Sequence, residues 1–117
     1  MSPAKREFIL YLEDMHLSMD RIEEYIGNIN FETFKTNQLV IDAVIRNLEI
    51  IGEAAKNVPE SIKIKYPEVP WDKMYGLRNL ITHEYFGVDY EMIWQIAKNN
   101  LPENKIDIEK ILKHINE

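Results

Sequence analysis

The sequence has 117 residues, 45% of them hydrophobic and 29% charged, with a formal net charge of −6 and no cysteine. This is one domain's length with enough apolar mass for a core, which argues against disorder. The acidic balance works against broad electrostatic binding of nucleic acid, and the lack of thiols removes disulfides, thiol catalysis and cysteine-rich zinc sites.

The opening "MSPAKREFILYLEDM" has its apolar positions broken by Glu7, Glu13 and Asp14, unlike a signal peptide. No run approaches the ~18 apolar residues of a membrane span. A single cytoplasmic domain over residues 1–117 is therefore expected, with no membrane partner. Its first helix carries Phe8, Leu12, Met15, Met19, Ile22 and Ile26 at alternating spacings of four and three, one stripe of a helix about 35 Å long. Ser2 and Pro3 suit its start, and Gly27 with Asn28 supplies an end signal.

"NINFETFKTN" is the connection, with Phe31 and Phe34 expected to pin it to the core. Thr36 or Asn37 caps a second helix running to about Asn57. Its stripe is Val40, Val44, Ile51, Ala54 and Val58, with Asn47 at the phase between, widened by Ala43 and Ile50. Gly52 falls mid-helix, where glycine costs about 1 kcal/mol against alanine, so close packing is expected there, inside a bundle or across a dimer. Pro59, Pro67 and Pro70 then break the chain around a short helix over Ser61–Tyr66.

A third long helix begins near Trp71 and carries Met74, Leu77, Leu80 and Ile81, with Gly87 as its stop. Asp89 reads as the next N-cap, before Ile93, Ile96 and Ala97. Pro102 is expected to separate this from a last helix holding Ile106, Ile108, Ile111, Leu112 and Ile115. Trp71 and Trp94 read as core anchors. Long helices with short connections predict an all-α, up-and-down helical bundle of about five helices.

The chemistry concentrates in "RNLITHEY", residues 78–85. Arg78 supplies a planar cation that pairs with phosphate oxygens in two places at once. His83 moves a proton near neutral pH, and Tyr85 adds a hydroxyl. Those are the parts of a metal-free cleavage of RNA, in which the 2′-hydroxyl attacks the adjacent phosphorus while a cation stabilises the developing charge.

Spacing alone is weak evidence for such a site. Five residues turn a regular helix about 140° past a full turn, so Arg78 and His83 would point to different sides, whereas Asn79 and His83 would share one. Either the helix loosens before His83, or two chains meet and pool their motifs. The plainer reading is a surface-paired arginine and a satisfied helix-end histidine. Arg46, Glu49 and Glu53 form a helical ion-pair ladder or, alternatively, supporting groups that orient Arg78 or His83. His16 and His114 have no partner at ligand spacing and read as surface residues, so no metal site is expected.

Taken together, "DAVIRNLEIIGEAAKNVP", "YPEVPWDKMYGLRNLITHEYFGVDYEMIW" and "NNLP" resemble the HepT-like branch of the HEPN superfamily, over most of the chain. The resemblance implies a small helical bundle that forms a homodimer and is a metal-independent ribonuclease. Its catalytic pair would be Arg78 and His83, with Asn79 and Tyr85 in support and no cofactor. It also implies a toxin whose partner is a minimal nucleotidyltransferase antitoxin able to transfer AMP to Tyr85. The alternative is a non-catalytic helical adaptor that binds a nucleotide or the nucleotidyltransferase.

Overall fold

The first helix of the computed structural model, α1, runs Pro3–Ile26. The structure describes residues 3–82 and 89–116, with the side chains of 7–78 and 89–115. All six residues of the expected α1 stripe are buried, joined by Ile9. Gly27 ends the helix at φ +45°, in the left-handed region that glycine enters without steric cost, and its N–H bonds to Glu23 O at 2.9 Å.

The connection contains a single helical turn, α2 (Phe31–Phe34), capped by Asn30, whose Oδ1 accepts from Thr33 N at 2.9 Å. Phe34 is fully buried and Phe31 partly so. Their rings lie 5.1 and 6.2 Å from that of Trp94, which ties this turn to a helix sixty residues on.

Helix α3 spans Gln38–Asn57, and Asn37 caps it by accepting from Val40 N at 3.2 Å. Its deepest row is Ile41, Val44, Leu48, Ile51, Ala55 and Val58, so the centre of the buried face is rotated from the expected stripe. Val40 is only half-buried and Asn47 is buried. The reason is that α3 packs against two neighbours, α1 and α5. Two rows are therefore covered, and the apolar pattern alone cannot say which row each neighbour takes.

A short α4 (Glu60–Lys65) follows Pro59, and α5 covers Trp71–Thr82. Trp71, Met74 and Leu77 are buried, and Trp71 Nε1 donates to Tyr66 O at 2.9 Å. The expected roles of Leu80, Ile81 and Gly87 in the core and stop lie outside the described side chains. Asp89 caps α6 (Tyr90–Gln95), accepting from Met92 N at 3.0 Å.

Pro102 does not separate two helices. A π-helical turn over Ile96–Asn100 joins α6 directly to α7, Leu101–Asn116. Leu101 N–H reaches back five residues to Ile96 O. The wider turn lets Pro102 sit in the first turn of α7, where its missing N–H is least needed. Ile108 and Ile111 fill the core from α7, but Ile106 is half-exposed on the far side, contrary to the expected stripe.

Helices α1 and α7 run antiparallel and share a charge lattice. Lys105 Nζ lies 2.6 Å from Asp20 and 3.2 Å from Glu23, while His16 Nε2 lies 3.2 Å from Glu109. No strand occurs among the described residues. The result is an all-α bundle in which α3 lies between α1 and α5, and that sandwich positions Arg78.

Candidate active site

Arg78 occupies the second half of α5, over the C-terminal half of α3, where Gly52 brings the two helices together. A Cβ on Gly52 would lie 2.9 Å from Arg78 N, 3.0 Å from Arg78 Cβ and 3.2 Å from Met74 O. The close packing expected at Gly52 is therefore within the chain. Without a side chain at that point the backbone of Arg78 rests on α3, and its side chain emerges beside the next residue, Glu53.

Arg78 Nε lies 3.0 Å from Glu53 Oε2. Both side chains are about half-exposed, so the pair is worth about 1 kcal/mol or less to stability. Its consequence is geometric, because a guanidinium held through Nε has its plane and direction set. The ladder read along α3 is split. Arg46 pairs with Glu49 at 3.6 Å, whereas Glu53 turns away to α5. Of the three groups considered as support, Glu53 thus contacts Arg78, whereas Arg46 and Glu49 pair with each other within α3 and share the groove.

That groove has a volume of about 460 Å³ and is formed by Tyr11 and Asp14 of α1, a face of α3 that includes Arg46, Glu53 and Asn57, and Arg78 of α5. Its charges are mixed, since Arg46 and Arg78 stand among Asp14, Glu49 and Glu53. Among the described residues the groove therefore offers two arginines but no net positive charge.

Helix α5 is regular through Thr82. His83 and Tyr85 lie outside the described residues, as does the side chain of Asn79. The two other histidines have long-range partners that the sequence concealed, and His16 has in addition Asp20, four residues on in its own helix. His16 sits between Asp20 and Glu109, and His114 Nδ1 lies 2.8 Å from Tyr66 Oη. Among the described residues no cluster of three or more His, Cys, Asp or Glu side chains could hold a metal, and no helix is long and apolar enough to cross a membrane.

The family model described as Ribonuclease HepT-like matches residues 15–111. This chain belongs to the HepT-like ribonuclease family. The match takes in α3 and α5, with the groove residues that they supply, and it extends across "RNLITHEY". The HepT-like chain is similar to two proteins of Methanocaldococcus jannaschii that carry the name "Putative RNase". Each is 42% identical, one over 95% of this chain and 92% of its own length, the other over 97% of both. It is also 43% identical to a protein of Thermococcus cleftensis named "Probable ribonuclease HepT", over 93% of this chain and 99% of that one. No solved structure matches. Membership of this family supports a ribonuclease function for the HepT-like chain.

Proposed function

We propose that this HepT-like chain is a metal-independent endoribonuclease that acts as a homodimer and serves as the toxin of a toxin–antitoxin pair. The observation that carries the reading is the arginine of a HepT-like ribonuclease held by Glu53 at the mouth of a groove. In the reaction, His83 of one chain takes the proton from an RNA 2′-hydroxyl, and that oxygen forms a bond to the adjacent phosphorus. The bond to the 5′-oxygen breaks, and His83 of the second chain gives that oxygen a proton. Arg78 neutralises charge on the phosphoryl oxygens as it builds. Asn79 and Tyr85 contact the phosphate. The products are a 2′,3′-cyclic phosphate and a free 5′-hydroxyl, and DNA, which lacks the nucleophile, is inert.

One observation favours a second chain across the groove, where the two copies of Arg78 would then meet. Its borders are apolar and exposed. Leu10 and Leu17 flank Asp14 on α1 at 50% and 47% exposure, and Leu39, seven residues before Arg46 on the same face of α3, is 82% exposed. The antitoxin in this reading is a minimal nucleotidyltransferase that places AMP on Tyr85.

The test is cleavage of a single-stranded RNA by purified protein in excess chelator, beside His83→Ala and Arg78→Ala. The expected outcome is a cyclic-phosphate product from wild type, a loss of about 10²-fold or more in either variant, and a dimer by sedimentation. Undiminished cleavage by His83→Ala would overturn the assignment of that residue. Tight nucleotidyltransferase binding with no cleavage would make the chain an adaptor.

A further inference from the structure

A second concave space, of about 470 Å³, lies where the start of α1, α4 and the end of α7 meet. Phe8, Ile62 and Ile115 make its apolar wall. Lys65, Tyr66 and His114 make its polar one. The Tyr66 hydroxyl is hydrogen-bonded to His114 Nδ1 at 2.8 Å, and the two rings stand edge to face with centroids 6.3 Å apart. Lys65 Nζ lies 5.7 Å from the centre of the Tyr66 ring.

Among the described residues, the cavity is lined by Lys65, from the last turn of α4, and His114, from the last turn of α7, and by no carboxylate, although the chain as a whole is acidic. Basic residues at one helix end answer the helix dipole and need no ligand to account for them. Here two such ends converge on one partly apolar cavity.

This cavity adjoins the Arg78 groove. Tyr11 lines the groove and Phe8, three residues earlier on the same side of α1, lines the cavity. Asn57 lines the groove and Pro59 lines the cavity. Their α-carbons are two residues apart and so within about 7 Å. Two independent segments thus form a common wall between the spaces.

We propose that the cavity is a subsite for a nucleotide beyond the two that flank the scissile phosphate in single-stranded RNA, an inference that rests on the ribonuclease reading above. A phosphate alone would leave most of the space empty. A nucleotide matches both walls: its base lies against Phe8, Ile62 and Ile115, and its phosphate meets Lys65. Apolar and aromatic contact with a base face tolerates any base, while the ammonium contributes a salt-dependent attraction. The bond from Tyr66 fixes the imidazole of His114. When Tyr66 donates, the neutral ring carries its proton on Nε2, a donor for a base edge or a phosphate oxygen.

The test measures binding to fluorescent RNA oligonucleotides with a 2′-deoxy sugar at the scissile position, two or four nucleotides long, alongside cleavage of the all-ribose versions. Wild type is expected to bind the longer probe about tenfold more tightly or better. Lys65→Gln, Tyr66→Phe and His114→Ala should each lose most of that gain with helical content retained, and Lys65→Arg should restore it. Should one variant fail to fold, the others still decide. Equal binding of both lengths by wild type, or a full gain in all the variants, overturns the subsite. Length-dependent binding with no cleavage of all-ribose RNA overturns the ribonuclease reading instead.

Discussion

Gly52 lies directly beneath Arg78, with room for no carbon between them: a methyl group there would sit 2.9 Å from the arginine's backbone nitrogen. The arginine proposed to act in cleavage is thus seated on a position where helix propensity alone would favour alanine. The same chain supplies a control, since a Cβ on Gly76, also within α5, would meet nothing within 4 Å.

Gly76→Ala should therefore stabilise the protein by about 0.5–1 kcal/mol, the usual glycine-to-alanine gain in a helix. Gly52→Ala should destabilise it by about 1–3 kcal/mol, because the overpacked atoms are backbone and cannot swing aside. Urea unfolding of both variants checks the contrast. Equal stabilisation by both would show that α3 and α5 are not in contact at this point.

Glu53 is expected to act as a positioning residue. Glu53→Ala should leave unfolding free energy within about 1 kcal/mol of wild type, as the ion pair is half-exposed, yet lower RNA cleavage through kcat more than KM. Glu53→Gln keeps an acceptor for Arg78 Nε and should recover part of the rate. Arg78→Lys should not restore cleavage, since an ammonium lacks the planar fork. Single-turnover rates and KM values for the four proteins separate positioning from simple loss of charge.

Lys105 gives a pH prediction. Its hydrogen bond to Asp20, then its contacts with Glu23, hold its pKa above the ordinary value of 10.5, against the opposing effect of burial. A pKa raised by folding means stabilisation that is complete below the unfolded pKa and is lost as pH rises through the folded one. Lys105→Gln should thus be less stable than wild type by about 1 kcal/mol at neutral pH and low salt. The gap should close above about pH 10.5 as wild type deprotonates. Unfolding curves at pH 8 and pH 11 measure it, and a gap that is constant with pH would assign the effect to packing of the lysine stem.

Tyr85 is the expected acceptor of AMP. After co-expression with a cognate minimal nucleotidyltransferase, peptide mass spectrometry should find the adduct on Tyr85. The modified protein should be inactive, because the added phosphate competes with RNA for Arg78. Tyr85→Phe should remain unmodified and escape silencing. An adduct elsewhere, or none, would remove this part of the proposal.

Much of the bundle was legible before any tertiary contact was known. The α1 stripe, the caps at Asn37 and Asp89 and the stop at Gly27 were all readable, because each signal acts within about one helical turn of itself. Arg78 was legible as a candidate through the segments around it, which are those of the family. Pro102 was misread because a proline's effect depends on whether the preceding turn can widen, and here Ile96–Asn100 does so.

Only the tertiary structure decided which polar groups meet. Glu53 and Arg78 are 25 positions apart and Tyr66 and His114 are 48 apart, so neither pair leaves a spacing to read. Local charge patterning joined Glu53 to Arg46 and left His114 alone. The crossing of α3 and α5 at Gly52 turned Glu53 toward the arginine, and the return of α7 past α4 brought His114 to the tyrosine. The sequence by itself determined where α1 ends and where α3 and α6 begin, since capping and periodicity are local. Which faces touch was decided by the simultaneous burial of α3 against both α1 and α5, a condition that no single helix carries.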